Sequence, residues 1–143
     1  MSLSTPSTPV HVSTFLRRVL IADATASGAT GLLLLLGAGA LAPLLGLPET
    51  LLRVAGLTLV PFVAIVAWMA TRDTLPRVAI LTLVAVNVLW VVDSVLLLVA
   101  APVEPNALGV AFVLAQALAV ALFAELQYVG LRRSQSTARL SAA

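Results

Sequence analysis

The sequence predicts an all-α polytopic membrane protein, an antiparallel up-down bundle of four transmembrane helices, and three observations carry that prediction. Four apolar stretches fill nearly all of the 143 residues, and each reaches the ~20 residues needed to cross a bilayer. The breaks between them are short and marked by proline or charge, so each helix should turn straight back along its predecessor. Hydrophobic residues make up 61% of the chain and charged residues only 10%, against about 25% charged in a typical soluble domain. Too little polar surface is left to face water.

Residues 1–10 are rich in Ser, Thr and Pro, lack an apolar period, and are expected to form a disordered polar tail. The four-helix domain then occupies residues 11–133. Its first helix should run from about 12 to 42, with Pro43 ending it. Arg17 and Arg18, an apolar run and Ala38-Gly39-Ala40 also fit a secretory signal with its cleavage site. That apolar run, Val19 to Leu36, is longer than the usual h-region of about 7 to 15 residues and contains Asp23, which favours a retained helix. Helix two should span 49–71, opening on Glu49, whose charge suits a helix N-terminus. Pro61 inside it removes one backbone bond, frees the carbonyl of Leu57 and predicts a kink. Helix three should span 75–101 with Thr74 as its N-cap. Pro102 to Pro105 turn the chain, helix four covers 106–133, and residues 134–143 are a polar tail.

All eight basic residues are arginines. Seven of them, Arg17, Arg18, Arg72, Arg77, Arg132, Arg133 and Arg139, fall on one side of a four-span topology, leaving Arg53 on the other. The positive-inside rule then puts both termini and the central loop in the cytoplasm, in a bacterial inner membrane. Scattered over helix ends, these arginines form no patch for nucleic acid. Cysteine is absent, which excludes thiolate nucleophiles and disulfide chemistry. His11 is the single histidine and precedes the first apolar run, so no haem, metal centre or other cofactor is expected, and no catalytic residue.

The polar residues inside the apolar stretches are the candidate sites: Asp23, Glu125, Arg53, Asp93, Asn87 and Gln116. Counting outward from each turn puts Arg53 and Asp93 at one depth, where an unpaired charge costs ~2.5 to 3.5 kcal/mol on insertion scales, so an ion pair is expected. Asn87 and Gln116 fall near mid-membrane with Pro61, Thr30 and Gly31. Asn87 should donate to Gln116 or to the carbonyl freed by Pro61, as register-setting glue or as the lining of a polar cavity. Asp23 and Glu125 share a third layer with Trp68 and Thr82. Two carboxylates at one level can share a proton and form a proton or cation relay; otherwise each pairs with Arg17, Arg18 or Arg132. The stripe Asp23, Ser27, Thr30, Gly31 should face protein. Trp68 and Tyr128 suit interfacial anchors, and Trp90 suits core filling or ligand stacking.

Small residues four apart mark packing faces: Ala24 with Gly28 and Ser27 with Gly31 on helix one, Ala111, Ala115, Ala119 and Ala117, Ala121 on helix four. Two ridges on helix four suggest contact with helix one and with a membrane partner or a second copy.

The stretch Gly39-Ala-Leu-Ala-Pro-Leu-Leu-Gly-Leu-Pro48, followed by Leu51-Leu-Arg-Val-Ala-Gly56, resembles small bacterial four-helix membrane proteins of the DoxX-like kind, over roughly the first half of the chain. The resemblance implies an accessory to a larger membrane oxidoreductase and carries over no catalytic residue. Ile21-Ala-Asp-Ala-Thr25 does not reproduce the glutamate motif of the four-span small multidrug transporters. Two functions are therefore expected. The first is a non-enzymatic accessory or assembly protein binding a membrane partner or lipid; the second is a small proton- or cation-coupled carrier using Asp23 and Glu125. An enzyme comes third, as an aspartyl pair of Asp23 with Glu125.

Overall fold

The computed structural model describes residues 8–142 and is helical apart from one short two-stranded ribbon. In chain order the elements are β1 (Pro9–His11), α1 (Thr14–Leu45), α2 (Glu49–Ala70), β2 (Thr74–Pro76), α3 (Arg77–Val99) and α4 (Ala107–Ser141). All four helices are long and apolar enough to cross a membrane. Their outer faces carry large apolar side chains in the open, with Leu36 85% and Leu118 71% exposed. Water would not tolerate so much contiguous apolar surface, whereas lipid requires it. The chain is an integral membrane protein.

Helix one passes through Pro43 instead of stopping there. One missing N–H is a smaller loss in lipid than abandoning a turn of backbone bonds. The stop comes three residues later, where Gly46 turns left-handed (φ 66°) and returns its N–H to the carbonyl of Ala42. Asn106 locks this corner. Its backbone N–H and its side-chain amide donate to the carbonyls of Leu45 (3.1 Å) and Leu44 (2.8 Å), and its Oδ1 caps α4 by accepting from Gly109 N–H (2.9 Å).

The opposite end corrects the expected tail and the expected cap. The first seven residues of the tail lie outside the described residues, but Pro9–His11 form a strand paired antiparallel with Thr74–Pro76, Val10 opposite Leu75. Proline keeps each strand extended and out of a helix. Thr74 is thus a strand residue, and α3 starts at Arg77 without a side-chain cap. Val10, Val12 and Leu75 are buried against Leu16, Met69 and Ile80, so the ribbon plugs this end of the helices. Arg17 fastens it by donating to the carbonyls of Ala70 and Arg72 and pairing with Asp73 (3.0 Å), a cation set against the C-terminus of α2. Helix four also outruns its expected end. Ser134, Ser136 and Thr137 return their hydroxyls to the carbonyls four residues back, and the helix runs on to Ser141; Ala143 lies outside the described residues.

Helix one is the hub, packing on α2 and α4, while α3 packs on α4. Glycines set these distances. A Cβ on Gly56 would press on Leu35 and on the carbonyl of Gly31, and one on Gly130 would press on Leu16. Thus the small face of α1 is spent on α2. On α4, Ala117 is buried while Ala111, Ala115, Ala119 and Ala121 face outward. Helices α2 and α3, although consecutive, do not pack along their length. At Gly109 a Cβ would strike the carbonyl oxygen of Leu45, which is backbone and cannot move aside. Gly109→Ala should destabilise the fold by about 1 to 3 kcal/mol in reversible unfolding in mixed micelles. Gly39→Ala, where a Cβ meets only Glu49 at 3.9 Å, should stay within about 0.5 kcal/mol of wild type.

Candidate functional site: a buried polar network behind a lateral cleft

Asp23 is 1% exposed and has no arginine partner. Its carboxylate instead accepts three hydrogen bonds. Ser27 Oγ donates to Oδ1 (3.0 Å), while Asn87 Nδ2 (3.2 Å) and Gln127 Nε2 (2.6 Å) donate to Oδ2. Asn87 Nδ2 also donates to Gln127 Oε1 (3.0 Å). The network therefore ties α1, α3 and α4 together, and no buried side-chain polar atom among the described residues lacks a partner. A carboxylate in a low-dielectric interior needs such partners, because desolvation without them costs several kcal/mol. Its partners fix the orientation of Asn87: turned over, its Oδ1 would face the carboxylate and the Gln127 carbonyl, acceptor against acceptor.

Depth counting placed Asn87 a layer away from Asp23, and the structure brings them together. The ribbon takes up residues 74–76, so α3 begins level with α1 at the plugged end. Asp23 lies nine residues beyond Thr14 and Asn87 ten beyond Arg77. Gln127 was missed. The buried face of α4, Gly109, Val113, Ala117, Ala124, Gln127, Gly130 and Leu131, follows one stripe, with Gln127 three residues beyond Ala124 and followed three and four residues on by Gly130 and Leu131. That stripe, read as a packing face, puts Gln127 inside and Glu125 outside.

Glu125 is exposed, in a shallow groove between α3 and α4 with Val84, Val88 and Tyr128. It does not meet Asp23. The expected ion pair of Arg53 with Asp93 is also absent. Arg53 pairs with Glu49 one turn back (2.6 Å) and reaches the carbonyl of Leu35. A partner on the same helix needs no contact between α2 and α3, and those helices diverge. Asp93 is exposed and makes no hydrogen bond or ion pair with a described residue.

Between the diverging helices opens a cleft of about 480 Å³. Its walls are α2, with Thr58, Phe62 and Trp68, and α3, with Thr82, Val86 and Trp90. Ser27 of α1 and Asn87 of α3 close its back together with Gln116 of α4, so the buried network reaches the cleft through two of its members. Gln116, expected beside Asn87, shares the cleft with it but no hydrogen bond. Trp68 is half exposed at one end, with the Arg72 guanidinium 4.5 Å from its ring centroid. The size falls within the ~300 to 1,000 Å³ of small-molecule sites, and the lining is mostly apolar with a few convergent polar groups. Among the described residues no group of three or more His, Cys, Asp or Glu could hold a metal.

Comparison with protein-family models, curated protein sequences and solved structures finds no match to this chain. The functional reading therefore rests on the site alone.

Removing one donor leaves the carboxylate under-bonded, whereas replacing the whole network by apolar groups removes the demand. Gln127→Leu should destabilise by about 1 to 3 kcal/mol, and the triple replacement of Asp23, Asn87 and Gln127 by Leu should cost less than the sum of the three single changes. Unfolding of the variants in mixed micelles, read as a mutant cycle, measures the difference.

Proposed function

We propose that this protein is a non-enzymatic integral membrane protein that takes a lipophilic ligand from the bilayer into the α2–α3 cleft. The observation that carries the reading is the cleft itself, an aromatic-walled opening between two consecutive helices with a satisfied polar network at its back. A bundle serving only as scaffold would close that gap, because packing is what holds helices together in lipid. Exposed residues on both walls, Ile65 and Val86 among them, give the cleft a mouth toward the acyl chains.

We further propose an up-down antiparallel bundle in a bacterial inner membrane, with both termini cytoplasmic. The contacts of Arg17 with Asp73 and of the Arg133 guanidinium with the ring of Phe15 support this by gathering arginine-bearing ends. An accessory role beside a membrane partner or a second copy is part of the proposal, and the outward ridge Ala111, Ala115, Ala119 on α4 is the surface suited to it.

A second reading, a proton- or cation-coupled carrier, is favoured by one observation: a buried carboxylate, Asp23, with no basic partner among the described residues. With Glu125 on the outer face, that reading rests on Asp23 alone.

Val86→Trp, at an exposed wall position, should fill the cleft without disturbing the core. Gently extracted wild-type protein should carry a discrete lipophilic molecule, detected by native mass spectrometry, that the variant loses at least tenfold. Retention of the same molecule by Val86→Trp would overturn the cleft as the binding site. Proton uptake by proteoliposomes, abolished in Asp23→Asn, would move the assignment to the carrier.

A further inference from the structure

We infer that the ligand of the α2–α3 cleft is a lipophilic amine, held as a cation that donates hydrogen bonds; this rests on the cleft being a binding site. Several polar hydrogens around the cleft are already committed within the protein. Ser27 gives its hydroxyl hydrogen to Asp23, and Thr58 gives its own to the carbonyl of Val54. Asn87 gives its amide hydrogens to Asp23 and Gln127. All three residues line the cleft. What they have left to offer a ligand is lone pairs.

Asn87 is the sharpest case. It is 97% buried, being 3% exposed, and its Oδ1 accepts from no described residue. No buried side-chain polar atom among the described residues is without a partner, so that oxygen must be reachable, and the cleft is the space its residue lines. Donating to a carboxylate polarises the amide and makes this oxygen a stronger acceptor. Thr82, Gln116 and the indole N–H groups add polar capacity of either kind, which a neutral or hydroxyl-bearing tail can use.

The charge distribution has the same sign. Among the described residues no basic one lines the cleft. Asp23 stands one hydrogen bond behind Asn87. Asp93 lies three residues beyond Trp90 and seven beyond Val86, hence on the same side of α3 just past the cleft lining, exposed and without a basic partner among the described residues. Trp68 and Trp90 supply ring faces, and Arg72 over Trp68 shows that one of these faces already accepts a cation. A carboxylate-bearing amphiphile would meet the lone pairs of Ser27, Thr58 and Asn87 and the like charge of Asp23 and Asp93, with donors left only at Thr82, Gln116, the indole N–H groups and, over Trp68 at one end, Arg72.

The protein contains two tryptophans, both in the cleft, so its own fluorescence reports occupancy. The full chain in phosphatidylcholine nanodiscs would be titrated with three brominated quenchers of matched shape: 4-bromophenethylamine, 4-bromophenethyl alcohol and 3-(4-bromophenyl)propionate. An uncharged tryptophan ester in empty nanodiscs corrects for partition into lipid. The amine should quench saturably, the alcohol should bind at least tenfold more weakly, and the carboxylate should not saturate. Asp93→Asn, an exposed change that leaves the core intact, should weaken the amine at least threefold and leave the alcohol unchanged. Asn87→Leu, compared at equal helicity, should abolish amine binding. Saturable alcohol quenching as tight as the amine's, or an Asp93→Asn variant that binds amine like wild type, would overturn the cation assignment and leave the cleft as a general lipophile site. Quenching no greater than the ester's for all three probes would overturn the cleft reading as well.

Discussion

The constraint on which the rest of this structure depends is the carboxylate of Asp23, placed where water cannot reach it. In a membrane interior a charge or strong dipole must find its partners within the protein, and each partner fixes a helix. Here the partners come from three helices, with Ser27 on α1, Asn87 on α3 and Gln127 on α4. Interhelical hydrogen bonds in lipid average only ~0.6 kcal/mol each. What makes the network decisive is therefore less its gain than the penalty of leaving any member out, since each orphaned group would remain buried. Register between α1, α3 and α4 follows from it.

Helix two takes no part in that network, and this is why the molecule has a cleft. It is held to α1 by close backbone approach at Gly31 and Gly56, and to the plugged end by Arg17, which draws in the carbonyls at its C-terminus. Helix three is drawn toward Asp23 through Asn87 and lies along α4. Two helices joined by the six residues 71–76 are thus fastened to different neighbours, and the gap between them is left as a cleft lined mostly by apolar and aromatic side chains with a few polar groups. The plugging ribbon permits this arrangement because it supports the α2–α3 connection from the far side of the chain, through Val10 and Leu75.

Four membrane-crossing helices were legible because length and apolarity alone decide them. Their ends were less so. Pro43 and Thr74 were read by rules for water-exposed chain, in which a proline stops a helix and a threonine before a proline starts one. In this molecule Gly46 does the stopping, and the ribbon claims Thr74. The ribbon pairs residues more than sixty apart in sequence, which no local pattern announces. In the site, Asp23 and Asn87 stood out as polar residues in apolar stretches, yet their meeting depended on the three residues the ribbon removes from α3. Arg53 was matched with Asp93 by depth, and depth says nothing of direction around a helix. Its nearer partner, Glu49, sits on its own helix. Gln127 was hidden beside the more conspicuous Glu125, although the heptad-like stripe on α4 separates the two.

That separation bears on what the acidic residues do. A relay needs its carboxylates within one continuous polar path, but Asp23 lies inside the helices while Glu125 looks out between Val84, Val88 and Tyr128. Asp93 looks out as well, on the side of α3 that bounds the cleft. Three intramembrane carboxylates therefore have three different surroundings, and two of them lie toward the same space, Asp23 through its bond to Asn87 and Asp93 by its place on the helix side that carries Val86 and Trp90. With Ser27, Thr58 and Asn87 already giving their hydrogens elsewhere, that space is left rich in lone pairs and poor in positive charge. A surface so arranged discriminates by what it refuses: an acceptor or an anion finds few partners there, whereas a donor-bearing cation with an apolar body can satisfy the oxygens and the rings at once.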